Sequence, residues 1–93
     1  MAVTVYIPTP FRRATSNRDR IEVRSGDVGG ALDELEAEYG GLRGLVRNEQ
    51  GEVHRHIAIY VNSEAIDATG GLNTPLSDGD EIAIIPALAG GRC

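Results

Sequence analysis

The sequence predicts an α+β fold: one mixed sheet with a single main helix packed on one face. Three observations carry this. Apolar residues alternate at period two near both ends of the chain, at Val3, Val5 and Ile7 and again at Ile82 and Ile84, as half-buried strands require. Between them one stretch, Val28, Ala31, Leu32, Leu35 and Tyr39, repeats at the spacing of a helix face. The chain has 93 residues, enough for one core and too few for two.

Each element follows from local chemistry. The first strand ends at Pro8 and Pro10, which cannot donate to a ladder. Residues 11–20 are polar and arginine-rich and read as a hairpin loop, and Ile21 to Val23 is a short returning strand. Ser25, Gly26 and Asp27 make a turn, with the Asp27 carboxylate placed to accept from the free N–H groups of the first helical turn. Asp33, Glu34, Glu36 and Glu38 surround the apolar stripe of the helix, and Gly40-Gly41 stops it. Leu42, Leu45 and Val46 suggest one helical turn before a loop at residues 48–51. Residues 55–61 read as a strand with Ile57, Ile59 and Val61 on one face. A turn at residues 62–64, a short edge strand near Ala65-Ile66 and a glycine turn at Gly70-Gly71 lead to the strong turn signal Ser77-Asp78-Gly79-Asp80. The last strand, Glu81 to Pro86, points Ile82 and Ile84 inward and Ala83 and Ile85 outward. Because both terminal strands are strongly apolar, they are expected to pair in the sheet centre, the arrangement of a β-grasp. Residues 1–89 then form one domain, with 87–91 as a flexible tail whose Gly90-Gly91 pair does not hold a fixed conformation cheaply.

Composition narrows the function classes. Hydrophobic residues make up 41 % and charged residues 25 %, which excludes a disordered chain. The longest apolar run, residues 82–89, is far shorter than a membrane span, and no segment before Pro8 resembles a signal peptide. A cytoplasmic location is expected, in keeping with a lone cysteine, Cys93. A net charge of −5 argues against nucleic acid as a partner. Charge is unevenly spread: Arg12, Arg13, Arg18, Arg20 and Arg24 crowd residues 12–24, and seven acidic residues crowd 25–52. All nine basic residues are arginine, which excludes lysine-linked chains of this protein on itself.

Few residues offer chemistry of their own. Gly26, Gly29 and Gly30 lack the spacing of a dinucleotide fingerprint and read as a helix start packed closely against a strand. His54 and His56, with Glu52, share one parity of the expected strand and could offer three metal ligands. The preferred reading is two solvated histidines on an exposed face, with no metal site. No nucleophile, base and acid constellation stands out, so enzymatic activity is not expected.

The ending carries the remaining information. From Asp78 to Ile82, through Ile84, Pro86 and Ala87 to Gly90-Gly91, the chain resembles the ubiquitin-like sulfur carriers of the ThiS/MoaD type. Residues 60–62, 70–72 and 35–39 are most similar to carriers that supply sulfur for cysteine synthesis from O-phosphoserine. The resemblance implies a ubiquitin-like β-grasp that binds no cofactor itself. It implies that an E1-like adenylyltransferase uses ATP to adenylate the Gly91 carboxylate and convert it to a thiocarboxylate, which a sulfur-accepting biosynthetic enzyme then spends. The chain continues past Gly91 with Arg92-Cys93, and some members of the family carry a short extension that a JAMM-type metallopeptidase removes. The Gly91–Arg92 bond is the implied processing site. Five extended residues, 87–91, span at most ~17 Å, enough to thread a partner's site while the globular body docks outside. Docking is expected on the open sheet face, at Tyr6, Ala58, Tyr60, Ala83, Ile85 and Leu88. An alternative is a ubiquitin-like modifier that forms isopeptide bonds with other proteins.

Overall fold

A computed structural model describes residues 2–86. Five strands form one mixed sheet: β1 (Val3–Tyr6), β2 (Arg20–Val23), β3 (Ile57–Val61), β4 (Glu64–Ala65) and β5 (Glu81–Pro86), in the spatial order β2-β1-β5-β3-β4. The expected central pairing holds: β1 and β5 run parallel with Val5 beside Ile82, and every other pairing is antiparallel. One helix, α1 (Val28–Glu38), packs on one face. This is the β-grasp arrangement that the strand pattern predicts.

The buried face is the one that alternation assigns. Val3, Val5, Ile21, Val23, Ile57, Ile59, Ile82 and Ile84 meet Val28, Ala31, Leu32 and Leu35 of α1 in a single core. Asp27 caps the helix as expected, its carboxylate accepting from the Gly30 N–H at 2.7 Å. The glycines at this point serve close packing, but the neighbour is not a strand. A Cβ on Gly29 would lie 3.2 Å from the Leu72 carbonyl oxygen, and one on Gly30 would lie 2.9 Å from the capping carboxylate.

Three expectations are corrected. Residues 11–20 are not simply a loop, because a 3-10 helix spans Thr9–Thr15 and lays Phe11 and Ala14 against the core. Thr15 is fully buried, its hydroxyl within hydrogen-bond distance of the Arg12 and Arg18 carbonyls, and Ser16 and Asn17 at positive φ end the segment. The short period of a 3-10 turn leaves no i, i+3, i+4 stripe for sequence to display. Similarly, Gly40-Gly41 does not merely stop α1; with Leu42 it forms a second 3-10 turn, where a Cβ on Gly41 would meet that of Ala14 at 3.1 Å. Finally, β3 begins at Ile57, so His54 precedes the strand and Arg55-His56 lie in a turn. Ile57 pairs with Pro86 as the last rung, and proline has no N–H with which to extend the ladder.

Arg47 ties the irregular segment after α1 back to the helix. Its guanidinium contacts Asp33 at 2.6 Å and Glu36 at 3.0 Å, and its side chain is only 12 % exposed. The hydrogen bond to Glu36 raises its pKa, burial opposes, and Asp33 adds to the rise. Truncation would leave the largely buried Glu36 without a partner. Arg47→Ala is expected to lower stability by about 1–3 kcal/mol, read as a fall in the urea midpoint at unchanged slope.

Candidate functional site

The sheet face away from α1 has no layer over it among the described residues. Cross-strand register sets its rows. Arg20, Tyr6, Ala83, Tyr60 and Ala65 lie side by side, because Tyr6 is opposite both Arg20 and Ala83, and Tyr60 is opposite both Ala83 and Ala65. One row toward the end where β5 leaves the sheet, Ile85 is opposite Ala58. Ile85 is 47 % exposed, the one large apolar side chain so exposed among the described residues. Tyr6, Tyr60, Ala83 and Ile85 line an open concavity of about 370 Å³ with Asn62, Ser63 and Glu81. Ala58 instead borders a second concavity of about 390 Å³ at the β4 edge, which Tyr60 also borders. Leu88, Gly90, Gly91 and Arg92 lie outside the described residues, as do the proposed tail and processing site.

Asn62, Ser63 and Glu81 were absent from the sequence reading of this face. Asn62 and Ser63 form the two-residue β3–β4 turn, both at positive φ, as hairpin turns of this length demand. Asn62 also clasps the start of β5: its amide donates to Asp80 at 2.9 Å and its carbonyl accepts from the Glu81 N–H at 3.0 Å. The Tyr6 hydroxyl donates to Glu81 at 3.3 Å. The signal available in sequence was Asn-Ser between two apolar runs, which marks a turn but does not say which strand lies next to it.

The histidines form a pair of another kind. Their rings stack at a centroid distance of 5.2 Å, and the His54 Nε2 lies 2.8 Å from the Gly44 carbonyl oxygen. Among the described residues no group of three His, Cys, Asp or Glu side chains is placed to hold a metal ion. No helix there is long and apolar enough to cross a membrane.

The sequence matches the ThiS family over residues 5–91. The chain belongs to the ThiS family. It is 40 % identical over 93 residues to the sulfur carrier protein CysO of Mycobacterium tuberculosis, covering 98 % of this chain and 100 % of that one. The structure superposes with a TM-score of 0.89 on a chain of the Amycolatopsis orientalis BexX/CysO complex, at 37 % identity and covering 96 % of this chain and 99 % of that one. Small archaeal modifier protein 3 of Haloferax volcanii is 42 % identical over 64 residues, 69 % of this chain and 68 % of that one. The family assignment agrees with the resemblance seen in the residues, and the ubiquitin-like β-grasp is shared with these structures.

Two outcomes test this description of the face. Ile85→Glu should shift stability by less than about 0.5 kcal/mol, whereas Ile84→Glu, one residue away but buried, should abolish cooperative unfolding; thermal melts distinguish them. The second concerns the clasp. The Ser77 N–H and then the Asn62 amide lower the Asp80 pKa, so its stabilising effect is present above the ordinary value of about 3.9 and lost as pH falls through the lowered value. Urea midpoints of the wild type and Asp80→Ala should differ at pH 7 and converge on acidification below about pH 4.

Proposed function

We propose that this chain is a sulfur carrier: a protein cosubstrate, not an enzyme. The observation that carries the reading is the alignment with CysO over essentially the full length of both chains. The open sheet face, with Ile85 exposed beside Tyr6 and Tyr60, supports it, since a protein that delivers a group to other enzymes must be recognised by its surface.

The chemistry requires Gly91 to own the reacting carboxylate, so Arg92-Cys93 is removed first, by a JAMM-type metallopeptidase. An E1-like partner then directs the carboxylate oxygen to the α-phosphorus of ATP, and pyrophosphate leaves. The resulting acyl-adenylate is a strong electrophile that water would destroy, so the partner's site encloses it. Hydrosulfide from the sulfur donor adds to the acyl carbon, the acyl–phosphate bond breaks to expel AMP, and loss of the remaining sulfur-bound proton leaves an anionic thiocarboxylate on Gly91. Glycines at 90 and 91 permit entry because side chains there would obstruct a narrow channel. A sulfur-accepting biosynthetic enzyme takes the sulfur onward, with synthesis of cysteine, thiamin, molybdopterin or a sulfur-containing secondary metabolite as compatible destinations. ATP belongs to the partner's reaction, and the carrier binds no cofactor. The solved BexX/CysO complex supports recognition of such a carrier by a partner protein, and the reactions take place in the cytoplasm.

A second reading is supported by the Haloferax volcanii relative, which is named a modifier. In that case Gly91 would be joined to amines of other proteins and stay attached.

The test uses both chain lengths. The chain ending at Gly91, given ATP, a sulfur donor and the E1-like enzyme, should gain the mass difference of one oxygen exchanged for sulfur; the chain ending at Cys93 should not. Tyr60→Glu and Ile85→Glu, if folded, should lose this reaction through weakened binding of the enzyme. Thiocarboxylate on the uncleaved chain would overturn the processing step, and persistent high-mass conjugates with no sulfur-bearing small product would favour the modifier reading.

A further inference from the structure

Charge in this molecule is sorted along the strand axis, and the sorting follows from the central parallel pair. Because β1 and β5 run parallel with Tyr6 beside Ala83, both leave the sheet at the same end. The segment after β1, residues 7–19, folds there before β2 returns from Arg20. The turn that holds Arg55 is there too, because Ile57 at the start of β3 is opposite Pro86 at the end of β5. The chain that leaves the sheet at Pro86 therefore departs from the end that gathers Arg12, Arg13, Arg18, Arg20, Arg43 and Arg55, against Asp19, Glu38, Glu49 and Glu52, because the turn after α1 packs on the 3-10 helix and the segment that follows leads to Ile57. The opposite end carries Glu64, Asp78, Asp80 and Glu81, with Arg24 as its arginine. A chain of net charge −5 is thus positive where its tail begins.

Apart from Arg12, these arginines are not spent on the fold. Arg13, Arg18, Arg20 and Arg55 are exposed, and Arg12 is half-buried with its Nε donating to the Ile7 carbonyl at 3.2 Å. Among the described residues the ion pairs are those of Arg47. Like charges gathered without partners repel one another, and their field draws in an anionic surface. Reach decides which anion. Five residues, 87–91, separate Pro86 from Gly91 and span at most ~17 Å, so a partner that receives Gly91 must bring its own surface within that distance of these arginines.

Resting on the sulfur-carrier reading, we propose that the arginines at the tail end form a basic collar that selects the activating partner. It docks on acidic side chains bordering the partner's tail-receiving opening, while Tyr6, Tyr60 and Ile85 supply the apolar contact beside it. Arg20 joins the two, since it lies next to Tyr6 in the same row of the open face. The collar acts on encounter and orientation, not on the chemical step.

The experiment measures thiocarboxylate formation on chains ending at Gly91, with the E1-like adenylating enzyme as the probe. The triple variant R18E/R20E/R55E should lower kcat/KM at least about tenfold at low ionic strength with kcat unchanged, and the lysine triple R18K/R20K/R55K should retain the wild-type value. Raising salt from ~0.02 M to ~0.5 M should lower the wild-type kcat/KM several-fold and flatten the difference between variants. If the glutamate triple fails to fold by circular dichroism, R18Q/R20Q/R55Q with the salt series gives the same reading. Thiocarboxylate formed at equal kcat/KM by all variants and at all salt concentrations overturns the collar alone, as does an equal loss in the lysine triple. Absence of thiocarboxylate on the wild type at every salt concentration overturns the sulfur-carrier reading and the collar with it.

Discussion

The parallel pairing of β1 with β5 is the constraint on which the rest of the molecule depends. It places residues 4–6 beside residues 81–83, nearly the whole chain length apart, and so forces everything between to be accommodated on the flanks and one face of the sheet. Two parallel neighbours do not close through a tight turn; a long connection is needed. Here the connection takes in β2, α1, the arginine-anchored irregular segment, β3 and β4. The helix covers one face because its apolar stripe and the inward residues of the central strands must bury each other, and no other apolar surface of comparable size is on offer.

The same pairing organises the exterior. Since β1 and β5 point the same way, the 3-10 helix at residues 9–15 and the departing tail share an end. Burying Phe11, Ala14 and Thr15 holds that helix against the body, and its arginines are consequently presented as a fixed group. Polar bonds at the far end do the matching job: Asn62 clasps Asp80 and Glu81, and Asp78 accepts from the Ala2 N–H at 2.7 Å. One end of the central pair is thus held by apolar burial and the other by hydrogen bonds between segments distant in sequence, and the acidic groups of that second end are far from the arginines of the first.

For a carrier this economy matters. With most of its apolar residues committed to one core, a chain of this size has little material for an enclosed catalytic pocket, and the two concavities described on the sheet are open. The proposed role, delivery in place of catalysis, suits such a body: partners would read its surface and process its tail. The proposed division of labour assigns recognition to the described residues and chemistry to the residues beyond Pro86.

Strands β1, β2 and β5, the helix with its Asp27 cap and the inward and outward alternation along the strands were determined by the sequence alone. These are local consequences of period and capping, and neighbouring residues suffice to express them. The expected edge strand at Ala65-Ile66 is instead Glu64–Ala65, with Ile66 opening a 3-10 turn. The 3-10 segments, the start of β3 and the stacking of His54 on His56 were not legible, because a 3-10 turn displays no periodic stripe and a strand ends where its partner's ladder ends. Tyr6, Tyr60, Ala83 and Ile85 were legible as outward-facing positions, whereas their gathering with Asn62 and Glu81 around one concavity was not. Likewise, the sequence showed an arginine-rich stretch at residues 12–24, yet only the fold separated Arg24 from it and brought Arg55 to its side. Strand direction and register decide such neighbourhoods, and those are set by the burial of both central strands against the helix, a long-range balance that no short segment contains.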